Sequence, residues 1–261
     1  MRTDDDAAQA AQLQRQLQWR GVDCTLQWQA QIDSTNAELL RRVRAQPDGG
    51  AQCLVAGAQS AGRGRQGRRW IDAGGALLMS LAWPFASGAT LNALSLAVGV
   101  WLAQALQAVG VSAVGLKWPN DLLLRGAKLG GVLVELADTS AARWAVIGIG
   151  VNLHLPTGVD GAAALDQLGA APTRWALLGE MLPALTHGLA AFALSGFGPW
   201  HAAWNALHAW QGAEVQVLDG VQPVARGLAR GVDVDGCLLL DASGATLRVR
   251  SGDVSLRRAR S

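Results

Sequence analysis

Between Gln59 and Trp70 the chain reads QSAGRGRQGRRW, which sets four arginines (Arg63, Arg65, Arg68, Arg69) and three glycines (Gly62, Gly64, Gly67) within twelve residues. Glycines let backbone N–H groups approach an anion closely, and guanidinium forks supply charge and bidentate hydrogen bonds to phosphate or carboxylate oxygens. The stretch reads as a flexible, cationic anion-binding loop. Residues 62–67 also satisfy G-x-G-x-x-G, the pattern of a dinucleotide-binding turn that opens a helix. Such a turn binds through its backbone and helix N-terminus, with an acid about 20 residues later. Here Arg63, Arg65 and Gln66 fill the intervening positions, and no acid occurs between Asp72 and Asp121. The dinucleotide pattern is therefore set aside, while a solvated basic surface loop stays open as the ordinary fate of clustered arginines.

The rest of the chain must build something that holds this loop. With 261 residues, half of them hydrophobic, it can bury a substantial core. A net charge of +2 is too small for a general polyanion binder, so any basic function is local. The other basic groups, Arg41, Arg42 and Arg44 and the tail Arg257, Arg258 and Arg260, read on composition alone as a solvated helix face and a fraying terminus. Cys24, Cys53 and Cys237 are odd in number and widely spaced, which fits small apolar residues in a reducing compartment rather than a disulfide framework. His154, His187, His201 and His208 form no HExxH pattern, so zinc is not expected. The start, with Arg2, Asp4, Asp5 and Asp6, has no secretory signal, and a cytoplasmic protein is expected. Residues 91–109 are long enough to cross a bilayer, but Asn92, Ser95, Gln104 and Gln107 punctuate them and their apolar residues recur at helical spacing. A buried helix is expected there, and no membrane partner.

Residues 1–22 read as a polar extension, helix-prone over 9–20. From 23 to 210, strands are expected at 26–32, 53–59, 76–82 (ended near Pro84), around 115–118, and at 122–124, 131–136 and 145–149, with helices at 37–44, 91–109, 174–195 and 199–209. The polar tetrad Asp33-Ser34-Thr35-Asn36 supplies natural N-caps for the first helix. From 211 to 261 the texture changes to short β-type runs at 214–218, 224–228, 237–241 and 246–250, separated by Asp219-Gly220, Asp235-Gly236 and Ser243-Gly244. Such dipeptides are hairpin turns, so a small barrel is expected.

Downstream of the arginine loop lie KWPNDLLL (Lys117 to Leu124), KLGGVLVE (Lys128 to Glu135) and GIGVN (Gly148 to Asn152). Each motif alone is weak. In the order DSTN, QSAGRGRQGRRW, KWPNDLLL, KLGGVLVE, GIGVN they closely resemble biotin protein ligases, from about Leu26 through the C-terminal barrel. The resemblance implies an α+β catalytic domain with a mixed sheet and helices, like the class II aminoacyl-tRNA synthetase relatives, followed by an SH3-like barrel. It implies a two-step reaction in which biotin and ATP give biotinyl-5′-adenylate and pyrophosphate, and a carrier lysine then displaces AMP. Catalysis of that kind is mostly positioning and electrostatics.

Carried over by position, the resemblance assigns Ser34, Thr35 and Asn36 to the ureido end of biotin and Gln59 to its carboxyl end. Arg63, Gly64 and Arg65 belong to the loop that folds over the ligand, with Arg65 and Arg68 also toward the nucleotide. Trp70 matches a tryptophan that packs against adenine, with a core tryptophan as the alternative in a chain that has eleven. Lys128 matches the lysine aimed at the biotin carboxyl and the α-phosphate; a strand-edge lysine in solvent is its alternative. Asn120, Asp121 and Asn152 are hard oxygen donors suited to Mg²⁺ or its water shell, and Asp121 could instead cap a turn. Asn120, Asn152 and Arg257 are also expected on the ATP side. Arg69 stands where lysine is usual and Gly130 where alanine often stands, both mild departures.

The implied partner is the biotin carboxyl carrier protein of acetyl-CoA carboxylase or a related carboxylase. Bifunctional family members carry an N-terminal winged helix, for which this chain starts too late, so a monofunctional enzyme without sequence-specific DNA binding is expected. A homodimer is compatible with the family, and the sequence leaves oligomeric state open. The rivals are a lipoate–protein ligase with the same adenylate chemistry and a sensor without turnover; the arginine loop and KWPND favour biotin, and Lys128, Asn120 and Asp121 favour turnover.

Overall fold

The computed structural model describes residues 3–71, 75–169, 171–242, 244–252 and 254–258. The expected turn residue Ser243 and the tail residue Arg260 lie outside this set, as does Asp72. The elements run α1 (Thr3–Trp19), β1 (Thr25–Ile32), α2 (Thr35–Ala45), β2 (Gln52–Gln59), β3 (Ala76–Phe85), α3 (Leu94–Ala108), β4 (Val114–Lys117), β5 (Asp121–Leu124), β6 (Ala127–Asp138) and β7 (Arg143–Asn152). Then come α4 (Arg174–Ser195), α5 (Gly198–Ala206), β8 (Glu214–Asp219), β9 (Gln222–Val232), β10 (Leu238–Ala242), β11 (Ala245–Val249) and β12 (Val254–Arg258). Strands β1 to β7 form one mixed sheet in the order β1-β2-β3-β7-β6-β5-β4, parallel only between β1 and β2. This is the expected α+β class.

Alternation along the central strands sends side chains to two cores. On β2, Cys53 and Val55 join α3 and α4 on one face, while Leu54 packs with Leu39, Leu40 and Val43 of α2 on the other. The α2 face is only partly covered by that helix, and the exposed remainder carries the site. Helix α4 is by length and composition apolar enough to cross a membrane, yet Leu177, Leu178, Leu182, Leu185 and Leu189 along it are fully buried inside the molecule.

Three expectations need correction. The polar extension is helical from Thr3 and docked: Ala10, Leu13 and Leu17 are buried, and Asp6 accepts a 2.8 Å hydrogen bond from the Trp175 indole of α4. Strand β3 runs past the expected Ala82 through Pro84 to Phe85. Its β2 neighbour begins at Gln52, opposite Ala82, so past that point one side of β3 is an edge where a missing N–H leaves no ladder bond unmade. Third, the tail around Arg257 and Arg258 is a fifth strand rather than a fraying end, and β12 pairs antiparallel with β8 in a sheet ordered β11-β10-β9-β8-β12. This antiparallel sheet is the expected SH3-like unit. It touches the main sheet through Trp118, a fully buried residue whose indole N–H donates to the Gly236 carbonyl at 3.1 Å.

Candidate active site

A cavity of about 550 Å³ opens between the α2 face of the main sheet, the arginine segment and β12. Gly148 and Gly150 of β7 make part of its floor. A Cβ on Gly150 would stand 2.6 Å from Cζ2 of Trp70, and one on Gly148 would collide with the Asn36 amide. Glycine at both positions lets an indole ring and a side-chain amide lie directly on the strand.

At the Gly148 end, Ser34 caps α2, its hydroxyl accepting from the Ala37 N–H at 3.4 Å, and Thr35 and Asn36 open the first turn. All three are buried, and all three line the cavity. Ser34 thus both caps and lines, while Asp33, the first of the tetrad, is held by Arg41 away from the cavity lining. Gln59 Oε1 accepts from the Thr35 N–H at 2.7 Å and from its hydroxyl at 3.1 Å, which leaves the Gln59 NH₂ as the group offered to the cavity. Two residues that the motif reading passed over complete this corner. Ser80 Oγ, fully buried, lies 2.6 Å from Asn36 Oδ1 and 2.7 Å from Thr35 Oγ1. Glu135 Oε2 accepts from Asn36 Nδ2 at 2.8 Å while its Oε1 holds Arg63 at 3.1 Å. An acid inside the apolar run of β6 is itself a sequence signal, since buried carboxylates need partners.

The arginine segment is a short hairpin. Gly64 N–H donates to the Arg68 carbonyl at 2.7 Å and Trp70 N–H to that of Gly62 at 3.0 Å, with Gln66 at φ 58° and Gly67 at φ 68° turning the tip. The next described element is β3, not a helix, so the dinucleotide turn is excluded by structure as well. Arg63, Gly64, Arg65 and Arg68 line the cavity. Arg65 reaches Asn120 Oδ1 at 3.4 Å and the Gly252 carbonyl, joining the hairpin to both sheets. Trp70 shuts the floor over Gly150.

Lys128 is placed by a register slip. Leu122 and Leu123 of β5 oppose Gly130 and Lys128, leaving Leu129 as an extra residue. Such a bulge re-aims side chains. Leu129 is fully buried, whereas Lys128, 46 % exposed, turns to the cavity with Nζ 2.6 Å from Asp121 Oδ1 and 5.9 Å from the Trp70 ring centroid. Asp121 Oδ2 takes Lys117 Nζ at 2.8 Å. Burial works against the Asp121 carboxylate, but the Lys128 and Lys117 ammonium groups outweigh it and hold its pKa below the usual carboxylate value. For Lys117 burial dominates and lowers the pKa, with Asp121 pulling the other way.

Arg257 lines the cavity from β12. So does Ser255, whose hydroxyl, like the Trp70 indole N–H, is buried with no hydrogen-bond partner among the described residues. Unpaired buried donors on a cavity wall suit a polar ligand. Asn152 departs from expectation: it does not line the cavity, and its Nδ2 donates to the Ala163 carbonyl at 3.0 Å and toward that of Lys128 at 3.5 Å, bracing the strand behind the lysine. Among the described residues no three His, Cys, Asp or Glu side chains form a metal-holding group. With both Asp121 oxygens taken by ammonium groups, Asp121 and Asn120 do not amount to a protein-built magnesium site.

The model of the biotin/lipoate A/B protein ligase family matches residues 28–152, and that of the biotin protein ligase C-terminal domain matches 212–257. The chain is 37% identical over 247 residues to a biotin–[acetyl-CoA-carboxylase] ligase of Mycobacterium tuberculosis, covering 90% of this chain and 89% of that protein. It is 36% identical over 236 residues to the bifunctional ligase/repressor BirA of Escherichia coli, covering 87% and 73%. A structure of the biotin protein ligase from Aquifex aeolicus with biotin and ATP superposes with a TM-score of 0.77 at 28% identity, over 90% of this chain and 99% of that one. Relatives aligned along nearly the whole chain, over a cavity lined by residues from all five motifs, place this protein among the biotin protein ligases of the biotin/lipoate A/B protein ligase family.

Proposed function

We propose that this chain is an ATP-dependent biotin–protein ligase that forms biotinyl-5′-adenylate and passes biotin to a lysine of a biotin carboxyl carrier protein. The observation that carries the reading is that one cavity joins a small hydrogen-bonding pocket (Ser34, Thr35, Asn36, Gln59) to a cationic stretch (Arg63, Arg65, Lys128). A biotin ring takes the first and its carboxylate points at the second. The carboxylate oxygen attacks the α-phosphorus, the bond to the β-phosphate oxygen breaks, and pyrophosphate leaves with the electrons. Lys128 and the arginines offset the two anions that meet and the charge that spreads over the phosphate oxygens. Trp70 packs on adenine and Arg257 approaches the nucleotide from β12. The carrier amine then attacks the acyl carbon, sheds its proton, and AMP departs as the amide forms.

Magnesium would accompany ATP as its usual counter-ion and would offset part of the triphosphate charge. Helix α1 serves as a brace on α4 and β1, so the reading includes no sequence-specific DNA binding. Incubation with labelled biotin, ATP, Mg²⁺ and a biotin carrier domain should move label to the carrier. Transfer of labelled lipoate in place of biotin would overturn the reading.

A further inference from the structure

A chain of contacts runs along the cavity away from the biotin pocket: the Trp70 ring, Lys128, Asp121, Lys117, the Trp210 ring and the C-terminal sheet. Lys128 and Lys117 sit on the two oxygens of one carboxylate, so one ammonium charge in this wall is uncompensated. Lys117 is the more deeply set, its side chain 11 % exposed, with Nζ 5.1 Å from the Trp210 centroid. A purely structural lysine is poorly served here, because a buried cation that shares its counter-ion with a second cation has its desolvation cost only partly offset by Asp121 and the Trp210 ring. Repulsion from Arg257 and from Lys128 adds to that cost. The arrangement is relieved by an anion of more than one charge on the side of Lys128 farther from the biotin pocket. Ser255 points to the same need, a buried hydroxyl on β12 without a partner among the described residues.

Resting on the proposed ligase reading, we propose that Lys117 binds the β- and γ-phosphates of ATP and carries the charge of the departing pyrophosphate. Lys128 serves the carboxylate and the α-phosphate; Lys117 stands one contact further along, where the leaving group must lie. As the bond between the α-phosphorus and the bridging oxygen breaks, negative charge grows on the pyrophosphate, and a fixed ammonium with spare N–H donors stabilises it. Asp121 keeps Lys117 aimed, since its Oδ2 occupies one of the three donors.

The two half-reactions separate this role from a structural one, because only the first contains pyrophosphate. With Lys117→Gln, KM for ATP should rise about tenfold or more and the rate of pyrophosphate release should fall by a comparable factor. Transfer from preformed biotinyl-adenylate to a carrier domain should stay within about twofold of the wild type. Lys117→Met, whose unbranched stem fills the same slot against Trp210, is the second variant should Lys117→Gln melt early, and the same split is expected of it. Equal loss of both half-reactions, or loss of neither, overturns the assignment. Wild-type protein that transfers no biotin from ATP would instead overturn the ligase reading itself.

Discussion

Two glycines and one lysine carry most of the chemistry that single residues decide here. Gly150 is a steric statement, since a methyl group would stand 2.6 Å from the Trp70 ring and push the indole off the strand. Gly150→Ala should therefore raise KM for ATP about tenfold while KM for biotin changes much less, as measured by initial rates with each substrate varied. Equal shifts in both constants would remove Trp70 from the nucleotide side. Lys128 is an electrostatic statement. It is 46 % exposed, and Asp121 keeps Lys117 when it goes, so Lys128→Ala should melt like the wild type and yet release pyrophosphate roughly a hundredfold or more slowly. An unchanged rate would leave Lys128 a surface lysine. Lys128 was legible through the order of the five motifs; Ser80 and Glu135 were not, for their contacts exist only through distant partners, and Lys117, although Asp121 is four residues on, takes its proposed role from the folded cavity. Asn36 meets Glu135 across 99 positions, a pairing that no spacing rule encodes. The place of Asn152 was hidden for the mirror reason: its position behind Lys128, with its amide on backbone carbonyls, is a product of the folded sheet.

Elements rich in periodic apolar residues were readable, and those defined by their neighbours were not. Helices α3 and α4 follow from their spacing, whereas β12 is five residues of Val, Ser, Leu and two arginines whose only reason to be extended is β8 beside it. The bulge at Leu129 is equally silent in sequence, yet it decides where Lys128 points. The arginine hairpin lies between these cases. Its composition announced anion binding, and its shape depends on a few backbone bonds between Gly62 and Trp70. Like charges at Arg63, Arg65, Arg68 and Arg69 weaken such a hairpin when no anion is present, although Glu135 offsets Arg63 and Arg65 is held by contacts of its own. Amide exchange across residues 62–69 should accordingly be fast in the free protein and strongly slowed by biotinyl-adenylate, read by mass spectrometry of peptides spanning Trp70. Equal exchange in both states would make the hairpin a preformed wall rather than a closing one.

At the scale of the whole molecule, charge is segregated. Among the described residues the cavity lining sets Arg63, Arg65, Arg68, Arg69, Lys117, Lys128 and Arg257 against Asp121, with Glu135 on Arg63 just behind it, so the lining itself has an excess of six positive charges in a chain whose net charge is +2. Everything outside the cavity therefore sums to four negative charges, and the field that a polyanion meets is focused at one mouth rather than spread over the surface. Closing that mouth takes both sheets, since β12 supplies Arg257 and the Trp118–Gly236 bond fixes the small sheet against the large one. Such a field acts on ligands in proportion to their charge. ATP carries about four negative charges, about two as its magnesium complex, and biotin one, so KM for ATP should rise severalfold between about 0.05 M and about 0.5 M salt, while KM for biotin rises less. The dependence should flatten in a variant that lowers the excess, Arg68→Gln being suitable because its side chain has no ion-pair partner that would be stranded among the described residues. Parallel salt dependences for the two substrates, or an unaltered slope in Arg68→Gln, would mean that short-range hydrogen bonds rather than the focused field govern nucleotide capture.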